Sequence, residues 1–379
     1  MARFIILFSL PNLSDDYFRF LWDGTLINNG DNPFDFKPGV FLEQTAFSTD
    51  QMKLLFSNMN SPNYFSVYPP INQYIFSCST YLFPNNIKGA VIIMKLFMFA
   101  FELLSIFSIY NITTQLKWNK NAVLWYALNP LIIIEFCGNL HFEGIMIAFL
   151  LIAIYLLTIN KWMLSAVIFS GAILTKLHPL MLLPFFMKYL GWKKGIGFAS
   201  IAGLCCLIIA ASLFLPIEFA VSRFQNIGES LELYYQTFEF NASIYYLLRL
   251  IGYQIYGYNA IALIGKILLA LNIIALLWIF IRQKASIKSL ILSITFAYLI
   301  YNLLATTVHP WYILAILPFA LLINFKTPLL WSALVVLSYF AYSTLDWHEN
   351  FYFVIIEYTF IFAVLIYELK TTKIINEIE

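Results

Sequence analysis

Ten long apolar stretches dominate this chain, near residues 90 to 112, 121 to 137, 142 to 159, 162 to 187, 195 to 217, 258 to 281, 289 to 308, 311 to 324, 328 to 345 and 351 to 368. Each approaches the ~20 residues that a helix needs to cross a bilayer. Hydrophobic residues make up 61% of the 379 and charged residues 11%, which a water-exposed surface of this size does not tolerate. Continuous runs exclude a transmembrane β-barrel, whose short strands alternate polar and apolar residues. The pattern therefore predicts an all-α polytopic transmembrane helix bundle of about 10 to 12 membrane helices, one integral membrane domain over residues 1 to 379. A net charge of +2, with dispersed basic residues, argues against a nucleic-acid partner.

Charge in the connecting loops alternates. One set carries Lys117 and Lys120, Lys161, Lys188 with Lys193 and Lys194, Arg282 with Lys284 and Lys288, Lys326, and Lys370 with Lys373. The other carries an acidic opening segment, Glu135 to Glu143, the stretch from Glu218 to Arg249, His309, and Asp346 to Glu349. The positive-inside rule puts the first set in the cytoplasm and the second outside. Residues 162 to 187 have basic flanks at both ends, so parity favours a broken or re-entrant hairpin whose tip carries Lys176 and His178. Ala2 to Leu13 is too short to span, which leaves two readings: a first membrane helix lacking upstream residues, or a short membrane-dipping helix. Usage of Phe, Ile, Asn and Lys suggests an A+T-rich bacterial genome, and with it a bacterial plasma membrane.

The chemistry-bearing residues fall on the outside set. Ser14-Asp15-Asp16-Tyr17-Phe18-Arg19-Phe20-Leu21-Trp22-Asp23-Gly24 opens an outer loop over residues 13 to 68. Helical spacing of Phe18 and Trp22 predicts an amphipathic interfacial helix with its carboxylates toward water, ended by Gly24, Gly30 and Pro33. Ile71 to Phe83 reads as a further shallow helix. Adjacent carboxylates near apolar surface raise one another's proton affinity, so Asp15 or Asp16 suits a general base, and either can hold a divalent cation. A helix N-cap at Ser14 or Asp15 is the plain alternative. Asn139, His141 and Glu143 lie at a helix mouth, as sugar or acceptor ligands or as polar caps. His309, Trp311 and Tyr312 offer polar groups beside aromatic faces suited to a sugar, or belong to an interfacial aromatic belt. Arg249 suits a phosphate or a snorkelling role. Asp346, His348 and Glu349 read as a solvated loop. Lys95, Glu102, Lys266 and Glu357 lie inside apolar spans, where charge is paired or functional, and Lys95 and Glu102 share a face toward the bundle interior. Cys78, Cys137, Cys205 and Cys206 show no metal-ligand spacing and read as packing residues; a Cys78–Cys137 disulfide is conceivable. No nucleotide-binding signature occurs.

Several motifs in fixed order resemble a known group. They are Leu13 to Gly24 with Asn32-Pro33, Tyr68-Pro69-Pro70, Asn129-Pro130 with Gly138-Asn139-Leu140-His141-Phe142-Glu143-Gly144, Lys176-Leu177-His178-Pro179-Leu180, and His309-Pro310-Trp311-Tyr312. Together they resemble GT-C superfamily glycosyltransferases, particularly polyprenol-phosphate-mannose-dependent mannosyltransferases. The resemblance implies a GT-C-like fold and an inverting transfer of a hexose, most simply mannose, from a polyprenyl-phosphate donor to an extracytoplasmic glycan or glycolipid. Asp15 and Asp16 then match the family's base and its metal- or phosphate-organising site. Lys176 matches the donor-phosphate element, joined by His178 and Arg249 as candidates. A transporter or flippase of a lipid-linked saccharide is the principal rival, and a glycan ligase or polymerase a second.

Overall fold

The computed structural model describes residues 2–44, 49–343 and 348–371. Its regular elements there are helices, joined by one isolated bridge between Phe240 and Thr307. Among the described residues, four helices are long and apolar enough to cross a membrane: Ile87–Gln115, Trp192–Phe214, Ile261–Arg282 and Phe351–Thr371. A fifth results if Asn121–Ala127 and Pro130–Gly138, bent by 47°, count as one span. The other expected spans are shorter helices, Glu143–Thr158, Trp162–Thr175, Ile287–Leu303, Pro310–Leu322 and Thr327–Tyr342. Position explains the difference in length. Glu143–Thr158 and Ile287–Leu303 are buried along most of their residues, so protein rather than lipid satisfies their ends. Trp192–Phe214 and Ile261–Arg282 instead present large apolar side chains outward, among them Leu207 and Ile281.

The stretch expected to carry interfacial helices forms Asp16–Asn28, Pro38–Gln44, Asp50–Asn58 and Pro70–Leu82. Two details differ from the sequence reading. Trp22 is 1% exposed, with its ring against Phe41 and Phe56, and so belongs to the core rather than an interface. Gly24 does not end its helix but lies within it, at a crossing with Pro70–Leu82 so close that a Cβ would sit 2.4 Å from the Phe76 carbonyl oxygen. The helix stops near Gly30, whose φ of +89° suits only a residue without a side chain. Behind Trp22, Arg19 donates to Asp23 at 2.8 Å and to the carbonyls of Ser61 and Tyr64. Asp23 also accepts from Ser66 and Gln73, so a buried ion pair ties the helix to the returning loop. Helix Ile217–Gln236 closes over the same loop through a two-point Arg223–Asp35 contact and a Lys37–Glu229 pair.

Three of the four intramembrane charges find partners. Lys95 donates to the carbonyls of Ile6 at 3.0 Å and Ser9 at 2.7 Å, and Glu102 pairs with Arg3, so the segment beginning with helix Ala2–Ile6 docks on the inward face of Ile87–Gln115. Glu357 accepts from Trp331 Nε1 and Asn241. Lys266 is exposed. Cys78 and Cys137 are free thiols; Cys137 is buried and donates to Glu102, so the conceivable disulfide is not formed. Glu349 is also corrected: it accepts from the Asn241 backbone and the Tyr246 hydroxyl instead of standing in solvent. Asp346 and Lys373 lie outside the described residues.

Candidate active site

Asp15 and Asp16 stand where helix Asp16–Asn28 begins. Asp15 occupies the N-cap position, yet its side chain makes no capping hydrogen bond; Ser14 Oγ instead accepts from the Asp16 amide at 3.3 Å, so capping accounts for Ser14 and not for Asp15. Asp16 accepts from Asn60 Nδ2 at 2.8 Å. Partial burial, followed by the charge of Asp16, pushes the Asp15 carboxyl above its ordinary range. Just upstream, the Leu13 amide donates to Asn139 Oδ1 at 3.3 Å, joining the acidic segment to the loop that carries Asn139, His141 and Glu143.

That loop is shaped by irregular backbone. The preceding turn, Ile133–Gly138, is a π-helix, and Leu140 takes a φ of +64°. Widened turns of this kind tend to mark functional sites because they redirect side chains. Here the turn projects Glu135, fully buried, toward Asn139 Nδ2 at 3.2 Å, His141 Nε2 at 3.1 Å and the Tyr339 hydroxyl. His141 in turn stacks on Trp311 at 3.7 Å between ring centroids, with the planes 11° apart.

A second arm comes from the broken helix. Trp162–Thr175 stops at Lys176, whose backbone is extended, and His178–Leu182 continues as a 3-10 turn, so the break falls where the sequence predicts it. Asn72 donates to the Thr175 carbonyl freed by that break. Lys176 Nζ lies 2.9 Å from Glu143 Oε1, with the carboxylate buried and the ammonium a quarter exposed. His178 Nδ1 meets the Tyr298 hydroxyl at 3.2 Å.

The third arm carries His309. Phe240 accepts from the Val308 amide at 2.8 Å and donates to the Thr306 carbonyl, a bridge that fixes the approach to helix Pro310–Ile313. His309 is thereby held parallel to Trp311, ring centroids 4.4 Å apart and planes within 3°, with Tyr312 edge-on at 5.3 Å. Trp311 thus gives its stacking surface to two imidazoles, which differs from the expected use of that ring as a platform for a sugar. Burial, then the nearby His141 and Lys176, lower His309 to about 3, so it is neutral at physiological pH. Four buried polar atoms at this junction make no hydrogen bond: Glu143 Oε2, His309 Nδ1, and the facing pair Glu135 Oε2 and His141 Nε2.

Asn139, His141, His309, Trp311 and Tyr312 are therefore linked by contacts, the Lys176–Glu143 pair lies close enough to His309 and His178 for its charges to act on them, and Asp15 and Asp16 follow Leu13, which bonds Asn139. Arg249 is not brought in. It pairs with Glu239 and lies over the rings of Tyr246 and Phe351. Glu135, Tyr298 and Tyr339 were missed in the sequence. A lone acid inside the apolar run from Leu131 to Cys137 was the available signal for Glu135; the tyrosines gave none. Among the described residues, no three His, Cys, Asp or Glu side chains come together to hold a metal ion.

Residues 5–191 match a family model described as alpha-(1->6)-mannopyranosyltransferase, N-terminal domain. Alpha-(1->6)-mannopyranosyltransferase A of Corynebacterium glutamicum is 22% identical over 203 residues, 50% of this chain and 39% of the relative's length. Its namesake in Mycobacterium tuberculosis is 22% identical over 228 residues, 59% of this chain and 42% of the relative. The chain thus spans about two fifths of the length of these curated relatives. No solved structure gives a significant match. The likeness read from the motifs accordingly meets a mannosyltransferase family over the half of the chain that carries Asp15, Asp16, the 138–144 loop and Lys176.

Proposed function

We propose that this chain, whose residues 5–191 match the model of the alpha-(1->6)-mannopyranosyltransferase N-terminal domain, transfers mannose from a polyprenyl-phosphate donor to an extracytoplasmic glycan or glycolipid, inverting the anomeric centre. It does so as a multi-pass protein of a bacterial plasma membrane. The observation that carries this reading is the Lys176–Glu143 pair at a helix break, beside the unpartnered Glu143 Oε2 and His309 Nδ1. A phosphate beside Lys176 gains an ammonium, and a sugar there has hydroxyls to satisfy the two orphaned atoms, which are costly while unfilled.

In the reaction an acceptor hydroxyl oxygen attacks the anomeric carbon while the bond from that carbon to the phosphate oxygen breaks. The hydroxyl proton passes to Asp15, and the electron pair leaves with polyprenyl phosphate, whose charge Lys176 stabilises. Asp15 is the preferred base because Asp16 is engaged by Asn60. A base at this position typically contributes ~10²- to 10⁴-fold. A divalent cation would be held by Asp16 and would neutralise developing phosphate charge.

The test is incubation of the purified protein in nanodiscs with labelled polyprenyl-phosphate mannose and candidate lipid or glycan acceptors. Labelled product is expected from the wild type and not from Asp15→Asn. Asp16→Asn is expected to keep residual transfer and to move the acid limb of the kcat/KM profile to lower pH, because removing the neighbouring negative charge makes Asp15 easier to ionise. Full activity in both single variants would refute the assignment. Sugar flux across vesicles without product would favour a transporter.

A further inference from the structure

We infer that Glu135 and Tyr339 are positioning residues for His141, a role that rests on the transfer reaction proposed above. Glu135 is fully buried and its two carboxylate oxygens divide their work. Oε1 accepts from Asn139 Nδ2 and from the Tyr339 hydroxyl, which leaves Oε2 facing His141 Nε2 at 3.1 Å. The backbone repeats the tie, since the His141 amide donates to the Glu135 carbonyl at 3.0 Å. Trp311 then fixes the plane of the imidazole by stacking.

The carboxylate lies against the Nε2 edge without a hydrogen bond, so the contact acts by holding that edge of the ring toward the protein. The arrangement has two further consequences. The carboxylate sits on a π-helical turn, where a regular α-turn would place it on another face, so the irregular backbone has a stated purpose. Tyr339 belongs to the segment Val335–Tyr342, and Trp311 to Pro310–Ile313, both beyond the residues 5–191 that match the family model. The C-terminal half of the chain thus holds a histidine of the N-terminal half in place.

Glu135→Gln, Tyr339→Phe and His141→Gln test this in the full-length protein. Glu135→Gln is expected to lower kcat on the order of 10²-fold through misplacement of the imidazole, with KM for the donor unchanged. Tyr339→Phe should act in the same direction and less strongly. The double variant Glu135→Gln with His141→Gln should be no worse than His141→Gln alone, as for residues acting through one group. A second readout needs no turnover: tryptophan emission, taken as the difference between each protein and its Trp311→Phe counterpart, should change alike in Glu135→Gln and His141→Gln. Additive losses, a raised KM with kcat intact, or Trp311 emission unaltered by Glu135→Gln would each overturn the inference. So would failure of both Glu135→Gln and Tyr339→Phe to accumulate as folded protein. Absence of mannosyl transfer in the wild type refutes the proposed reaction instead, and the emission difference still decides the position of His141.

Discussion

At the level of single residues, the Lys176–Glu143 pair separates stability from activity. Glu143 is buried and loses its charge partner if Lys176 is replaced, so Lys176→Met leaves an uncompensated carboxylate. Breaking a fully buried pair costs about 3 to 5 kcal/mol; since the ammonium is a quarter exposed, solvent screens part of it and about 1 to 3 kcal/mol is expected here. Adding Glu143→Gln should restore most of that stability, because the charge that lacked a partner is gone. Activity should stay absent in both proteins, since neither offers an ammonium to the leaving phosphate. Thermal unfolding in detergent, measured beside product formation, checks both halves. Recovery of activity in the double variant would show the pair to be structural. Lys176 was legible in the sequence because a lysine before Leu-His-Pro in an apolar run has few reasons to be there. Its partner was not, because Glu143 lies 33 positions away and only the packing of Glu143–Thr158 against Trp162–Thr175 brings the two together.

Among the elements, the crossing of Asp16–Asn28 and Pro70–Leu82 is what the sequence reading misjudged, and it positions two parts of the site at once. The first helix carries Asp15 and Asp16 at its N-terminal end, and the second carries Asn72, which caps the Thr175 carbonyl beside Lys176. Glycine inside a segment reads locally as a helix stop, whereas here the absence of a side chain lets one helix rest against the other's backbone. The Arg19–Asp23 pair escaped notice for a related reason: its other partners, Ser61, Tyr64, Ser66 and Gln73, come from the returning loop and the next helix. Gly24→Ala would place a methyl against the Phe76 carbonyl, which cannot rotate away, and must drive the helices apart. Overpacking of this kind costs about 1 to 3 kcal/mol. A lowered melting temperature is therefore expected, together with a loss of transfer activity larger than the stability change alone explains, since Asp15 and Thr175 move relative to each other. Wild-type activity in a folded Gly24→Ala protein would show that the crossing does not set the site's geometry.

Over the whole molecule, the two charge classes of the loops settle at opposite ends of the helices. Lys188 donates to the Phe280 and Ile281 carbonyls, Gln283 to the Phe185 carbonyl, and Glu368 accepts from the amides of Lys326 and Thr327, so the lysine-bearing ends meet one another. At the other ends, Leu13 meets Asn139, His141 meets Trp311, Asn72 meets Thr175 and Asn241 meets Glu349. Loop charge alone predicted this partition, because each apolar helix reverses the side on which the next loop falls. What it could not predict was span length: the central helices are short because neighbouring protein surrounds them. On the proposed function, the positive-inside rule places the acid and histidine end outward. Cysteines introduced at Asn160 or Lys284 should react with a membrane-impermeant maleimide only after the cells are opened, and cysteines at Asn60 or Asn259 in intact cells. Cys78 is exposed, so the test is run in a Cys78→Ser background. The reverse pattern would put Asp15 and Lys176 on the cytoplasmic face, where no extracytoplasmic acceptor could reach them. Transfer to such an acceptor would then be impossible whatever the chemistry of the side chains.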